Sequence, residues 1–141
     1  MSGSDTSPLG DGGTRHEARE RAFHLLYESE IKQVSPSVLL DELPLRPDQF
    51  AVELVEGVAS HADEIDELVS AHAHNWDLDR MPALDRAVLR LGAFELAHRP
   101  DVPTGAVINE AVELASQYST DDSGRFVNGV LSAIARDVRS D

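Results

Sequence analysis

Residues 104–138 read TGAVINEAVELASQYSTDDSGRFVNGVLSAIARDV, and their periodicity decides the fold class. Val107, Ile108, Ala111, Leu114 and Ala115 recur three and four apart, the spacing that lines one face of an α-helix. Val127, Val130, Leu131, Ile134 and Val138 repeat the pattern. Between the two stripes, Ser119-Thr120-Asp121-Asp122-Ser123-Gly124 is wholly polar and reads as a loop that caps the second helix. Asn128-Gly129 inside that helix is unusual, because glycine costs up to about 1 kcal/mol relative to alanine. It predicts the close approach of another helix backbone.

The same period continues outward. Pro82 starts a helix carrying Leu84, Ala87, Val88 and Leu91, and Pro100 and Pro103 end that segment. Upstream, Phe50, Leu54, Val55 and Val58 form one stripe, and Ile65, Leu68, Val69 and His72 another, with a break at His61 to Asp63. Trp76-Asp77-Leu78 reads as a connection. Ser35-Pro36 is an N-cap with proline at N1, opening a short helix through Leu43 that Pro44 and Pro47 follow. Thr14-Arg15-His16-Glu17 has capping-box spacing and predicts a first helix to about Gln33. Its buried side is Ala18, Ala22, Leu25, Leu26 and Ser29. Residues 1–13, MSGSDTSPLGDGG, predict a disordered tail ahead of one helical domain over 14–141. The expected architecture is all-α, with about seven helices.

Composition narrows the chemistry. The 141 residues include no cysteine, which excludes disulfides, thiolate metal sites and thiol catalysis. No apolar run approaches the roughly 20 residues that span a bilayer, and the N-terminus lacks a secretory signal, so the cytoplasm is the expected compartment. Neither a nucleophile elbow nor a phosphate-cradling glycine loop is present. Glu95 and His98 have the Glu-x-x-His spacing of di-iron bundles, but such sites need two of these motifs. His72 and His74 point about 200° apart on a helix and cannot share a metal. The sequence therefore predicts no enzyme, no cofactor and no metal. Glu95 lies in line with Leu84, Val88 and Leu91, where a carboxylate needs donors. It reads as a core carboxylate that locks helix packing, with a functional acid as the alternative.

Twelve basic residues face 26 acidic ones, for a formal net charge of −14. All the basic residues but Lys32 are arginine. This balance argues against blanket nucleic-acid binding and favours a basic protein partner. A local basic patch is still compatible with it, since charges are screened over about 8 Å. Arg15, Arg19 and Arg21, with His16 and His24, crowd the first helix, where helix polarity disfavours cations. The cluster reads either as phosphate contacts or as surface arginines paired with Glu17 and Glu20. Phe126, about 100° off the stripe of its helix, suits stacking on an unpaired base or flanks the core.

Several strings resemble the NusB transcription antitermination family. They are Arg15 to Glu20 leading to Leu25-Leu26-Tyr27, Leu84 to Arg90, Phe94-Glu95-Leu96, Asp101-Val102-Pro103, Ile108 to Ala115, and Asp121 to Leu131. Together they cover roughly residues 14–135, and the stretch at Trp76-Asp77-Leu78-Asp79-Arg80 resembles actinobacterial members. The resemblance implies two packed helical subdomains and no catalysis. It implies binding of single-stranded boxA RNA together with NusE, a small-subunit ribosomal protein, within an antitermination complex on RNA polymerase. By position it places Arg15, His16, Arg19, Arg90, Asp122 and Phe126 at the RNA, and Tyr27 and Asp85 at the partner. His16 stands where a basic residue is usual, Glu17 interrupts the basic run, and Gly105 stands where a lysine can occur. The RNA patch is therefore expected to be thin. The competing reading is an acidic helical adaptor for proteins with little RNA affinity of its own. The oligomeric state, a homodimer included, is open at this point.

Overall fold

The computed structural model describes residues 12–74 and 76–139. Among them are seven α-helices, one short 3₁₀ turn and no strand. Helix α1 is Gly12–Lys32, α2 Pro36–Glu42, α3 Gln49–Ser60 and α4 Ala62–His72. The 3₁₀ turn Leu78–Arg80 precedes α5 Ala83–His98, α6 Thr104–Tyr118 and α7 Asp121–Val138. The all-α architecture is the one the apolar period predicts.

Local chemistry sets most boundaries as expected. The Ser35 side chain accepts from the Ser37 N–H with Pro36 at N1, and α2 stops before Leu43. His61 both ends α3 and starts α4. Pro82 and Pro103 stand just ahead of α5 and α6. Two expectations at helix starts fail. Helix α1 already includes Gly12 and Gly13, so Thr14 lies inside it rather than at its cap. The rest of the expected tail, residues 1–11, lies outside the described residues. The polar run at 119–124 is no loop throughout: α7 begins at Asp121, and Thr120 caps it by accepting from the Ser123 N–H at 2.9 Å.

Helices α1, α2 and α3 pack on one another, and so do α5, α6 and α7. Helix α5 joins the two groups, packing against every other helix except α2. Its position explains its burial nearly all round: Leu89, Ala93, Phe94 and Leu96 are in the core beside Val88 and Leu91. A helix buried on all sides has no single stripe to read, which hides those four residues. Arg139, just beyond α7, fastens the far end. Its guanidinium donates to the carbonyls of Glu95, Leu96, Arg99 and Val102 and to Thr104 Oγ1. It thereby satisfies carbonyls that the C-terminus of α5 leaves without helical partners. Val138, read as part of the buried stripe, is in fact 38% exposed.

The close helix approach expected at Gly129 is absent there, where an added Cβ would meet nothing within 4 Å. It occurs instead at Gly57 of α3, where a methyl would strike the Phe94 ring of α5. Gly57→Ala is therefore expected to destabilise by about 1–3 kcal/mol through overpacking. Gly129→Ala, on an exposed helix position, should stabilise by up to about 1 kcal/mol. Urea denaturation of the two variants checks the opposite signs.

Candidate nucleic-acid interface

The arginines of α1 do not form a free surface patch. Arg19 is 5% exposed, and Glu95 on α5 is 1% exposed. The two meet as a fork: Arg19 Nε donates to Glu95 Oε2 at 2.9 Å and to Oε1 at 3.2 Å, and Nη2 donates to Oε1 at 3.0 Å. This satisfies the odd carboxylate in the apolar face of α5 and removes Arg19 from the surface. The expectation of Arg19 as an exposed phosphate contact is corrected by that burial. The partners read from sequence are different too: among the described residues Glu20 accepts from the Tyr118 hydroxyl, not from an arginine.

Arg15 is half-buried and lies with its guanidinium 4.4 Å above the Phe50 ring. Arg99, from the end of α5, lies over the same ring at 5.1 Å, and Arg19 at 5.4 Å. Three cations around one aromatic face is a cation–π arrangement that holds the stems of all three. Arg99 is neutralised by Glu53 and Asp101, whereas Arg15 has no carboxylate within 4 Å among the described residues. His16 points to α6, where Nδ1 is 2.8 Å from Glu110 and 3.6 Å from Glu113. The Glu110 hydrogen bond raises the His16 pKa above its ordinary value, against the opposing effect of partial burial.

Arg90 lies elsewhere. It forks onto Asp66 at 2.8 and 3.0 Å and donates to Glu30 at 3.1 Å. It lines a cavity of about 530 Å³ with Leu26, Val34, Val58 and Ala59. Arg86 also pairs with Glu30, and its hydrogen bond holds that carboxyl below the usual range. Arg90 is thus flanked by two acids and apart from the Arg15 cluster.

Phe126 and Asp122 share a second cavity, of about 250 Å³, with Asp85, Ser123, Pro82 and Trp76. Phe126 is half-buried against the core, and its ring centroid is 6.0 Å from that of Trp76. Trp76 is 49% exposed, so this aromatic pair opens to solvent. Asp85, expected at a protein partner, is only 4% exposed. Its Oδ2 accepts from Ser123 Oγ at 3.0 Å. Tyr27 is half-buried against the core.

The structure therefore brings Arg15, His16 and Arg19 to one place and Asp85, Asp122 and Phe126 to another, and leaves Arg90 apart. Sequence reading missed Phe50, Arg99 and Trp76. Phe50 sits in an apolar stripe and carries no polar signal; Arg99 and Trp76 stand in connections, where periodicity gives no facing. Two sets of side chains bring possible metal-ligand atoms within 4.8 Å, His61–Glu64–His98 and His16–Glu110–Glu113. In each, a histidine is already bonded to a carboxylate, His98 to Glu64 and His16 to Glu110. Among the described residues no helix is long and apolar enough to cross a membrane.

Comparison with known proteins follows the same outline. The pattern that defines the NusB family matches residues 16–136. The transcription antitermination protein NusB of Myxococcus xanthus is 47% identical over 133 residues, 87% of this chain and 95% of that protein. Its namesake in Saccharopolyspora erythraea is 50% identical over 129 residues, 87% of each chain. A solved chain from antitermination factors NusB and NusE in complex with dsRNA is 31% identical with a TM-score of 0.78. The superposition covers 90% of this chain and 99% of that one.

Removing one partner of a buried ion pair strands the other charge, at about 3–5 kcal/mol. Arg19→Ala is expected to lose that much, while the joint change Arg19→Leu with Glu95→Leu should restore most of it; urea midpoints of single and double variants measure the difference. The His16–Glu110 contact favours protonated histidine, so its stabilisation is complete below the ordinary histidine value of 6.5 and fades as pH rises through the raised folded value. The stability gap between the parent and His16→Ala should accordingly shrink from pH 6 to pH 8. A gap that widens with pH would contradict the assigned contact.

Proposed function

The chain belongs to the NusB family, and on that footing we propose that it is a non-catalytic transcription antitermination factor. It acts in the cytoplasm, binding boxA of nascent RNA together with a NusE-type ribosomal protein and joining the antitermination complex on RNA polymerase. The observation that carries this reading is the match over nearly the whole length of a NusB chain solved with NusE and RNA.

In this reading Arg15 and His16 contact the RNA backbone, and Phe126 offers a ring to a base while Asp122 stands at the mouth of its cleft. Arg19 is a positioning residue, because its guanidinium is spent on Glu95. Arg90 contributes only where RNA competes with Asp66 and Glu30. Tyr27 contacts the protein partner. The net charge of −14 suits a basic ribosomal protein.

A second reading has its own observation. Arg19, Arg86, Arg90 and Arg99 are each bonded to carboxylates, which leaves little free positive charge for phosphate. The protein would then be an acidic adaptor whose partner does the RNA binding.

A band-shift with boxA RNA and a mutated control, run with and without the ribosomal partner, separates the two. An RNA-binding factor shifts boxA alone at low salt and more tightly with the partner; an adaptor captures the partner after nuclease treatment and gives no shift alone. Gly105, exposed at the start of α6 with open space around its Cβ position, provides a gain-of-function check. Gly105→Lys should tighten RNA binding and steepen the log–log salt dependence by about 0.7, one added phosphate contact on a single strand. Arg15→Ala should weaken RNA binding and leave partner binding unchanged.

A further inference from the structure

Asp85 has one satisfied carboxylate oxygen and one that is not. Oδ2 accepts from Ser123 Oγ, whereas Oδ1 is buried and has no hydrogen-bond partner among the described residues. A buried acceptor without a donor is costly, by about 1–3 kcal/mol. The residue lies in the first turn of α5, where the helix N-terminus already offsets its negative charge. What this site lacks is a hydrogen-bond donor, more than a counter-ion. Asp122, the second acid at the mouth, is in turn paired with Arg125.

The walls of the cleft show the shape of the missing donor. Trp76 and Phe126 present two rings with centroids 6.0 Å apart, and Pro82 closes a further side. The volume, about 250 Å³, falls below the roughly 300–1,000 Å³ of pockets for drug-sized ligands. Flat apolar faces with an N–H on the edge describe an unpaired nucleobase, stacked on an aromatic ring and read along its Watson–Crick edge.

We propose that Asp85 is a specificity-determining residue that accepts from the exocyclic amino group of a base held against Phe126 and Trp76. This rests on the RNA-binding reading above and moves Asp85 from the protein contact to the RNA. The site takes an amino-bearing base, such as cytosine, in preference to uracil. Cytosine N4 is a donor that carboxylates accept. Uracil offers only N3–H between two carbonyls, whose oxygens would face the Asp85 carboxylate.

The chain has a single tryptophan, so Trp76 fluorescence reports this cleft directly. The full-length protein with its ribosomal partner is titrated with oligo(rC) and oligo(rU) of equal length, following Trp76 emission and, separately, anisotropy of labelled RNA. The parent protein should bind oligo(rC) about tenfold tighter, the scale of one hydrogen bond to a charged acceptor, with Trp76 emission changing on binding. In Asp85→Asn, Ser123 can keep donating to the amide oxygen, which turns the NH₂ into the cleft. The preference should then shift toward oligo(rU).

Equal affinity of the parent protein for the two oligonucleotides would overturn the proposal without needing any variant. So would an unchanged preference in a folded Asp85→Asn protein, or a Trp76 response to the ribosomal partner alone, which would place a protein side chain in the cleft. RNA binding by anisotropy with silent Trp76 would sink the base slot but leave the RNA-binding reading standing. No binding by either signal would remove that reading itself.

Discussion

The buried fork between Arg19 and Glu95 is the constraint on which the arrangement of the first helix depends. It ties α1 to α5, the helix that joins the two packed groups. A buried ion pair contributes little net stability compared with an apolar pair of the same shape, but it tolerates only one geometry. With Arg19 fixed, Arg15 one turn earlier is brought over Phe50, and His16 faces Glu110 on α6. The rotation of α1, and so the facing of its remaining basic groups, follows from one internal bond.

Charge elsewhere is used in the same way. Arg86 and Arg90 are directed to Glu30 and Asp66, Arg99 to Glu53 and Asp101, and Arg139 to the carbonyls ending α5. These guanidinium groups organise helix contacts. Arg15 is the group of the α1 cluster that faces the ring without a carboxylate beside it. A protein so sparing with free positive charge depends on a basic partner to hold RNA, which connects its strong acidity to the work of a two-protein complex.

The aromatic cleft adds a second element, on a different part of the fold. It forms where the N-termini of α5 and α7 meet, with Asp85 on one and Ser123 on the other. Both residues belong to ordinary-looking helix starts. Brought together they place a buried acceptor at the base of an open ring pair. Backbone contact at one site and base contact at another is the usual division between positioning and reading in nucleic-acid recognition.

The all-helical class, most helix boundaries and the oddity of Glu95 were legible in the chain, because apolar period, proline and cap residues act over one or two turns. The strings shared with the NusB family were equally local. Facing and pairing were not legible. Arg19 and Glu95 stand 76 residues apart, and Asp85 and Ser123 38 apart. Arg19 reads as a surface cation, Asp85 as a helix-start acid and Gly129 as a packing site until α5 is set among its neighbours. Local spacing decides which segments coil, whereas only the packed helices decide which charges lose their water and which rings keep an open face.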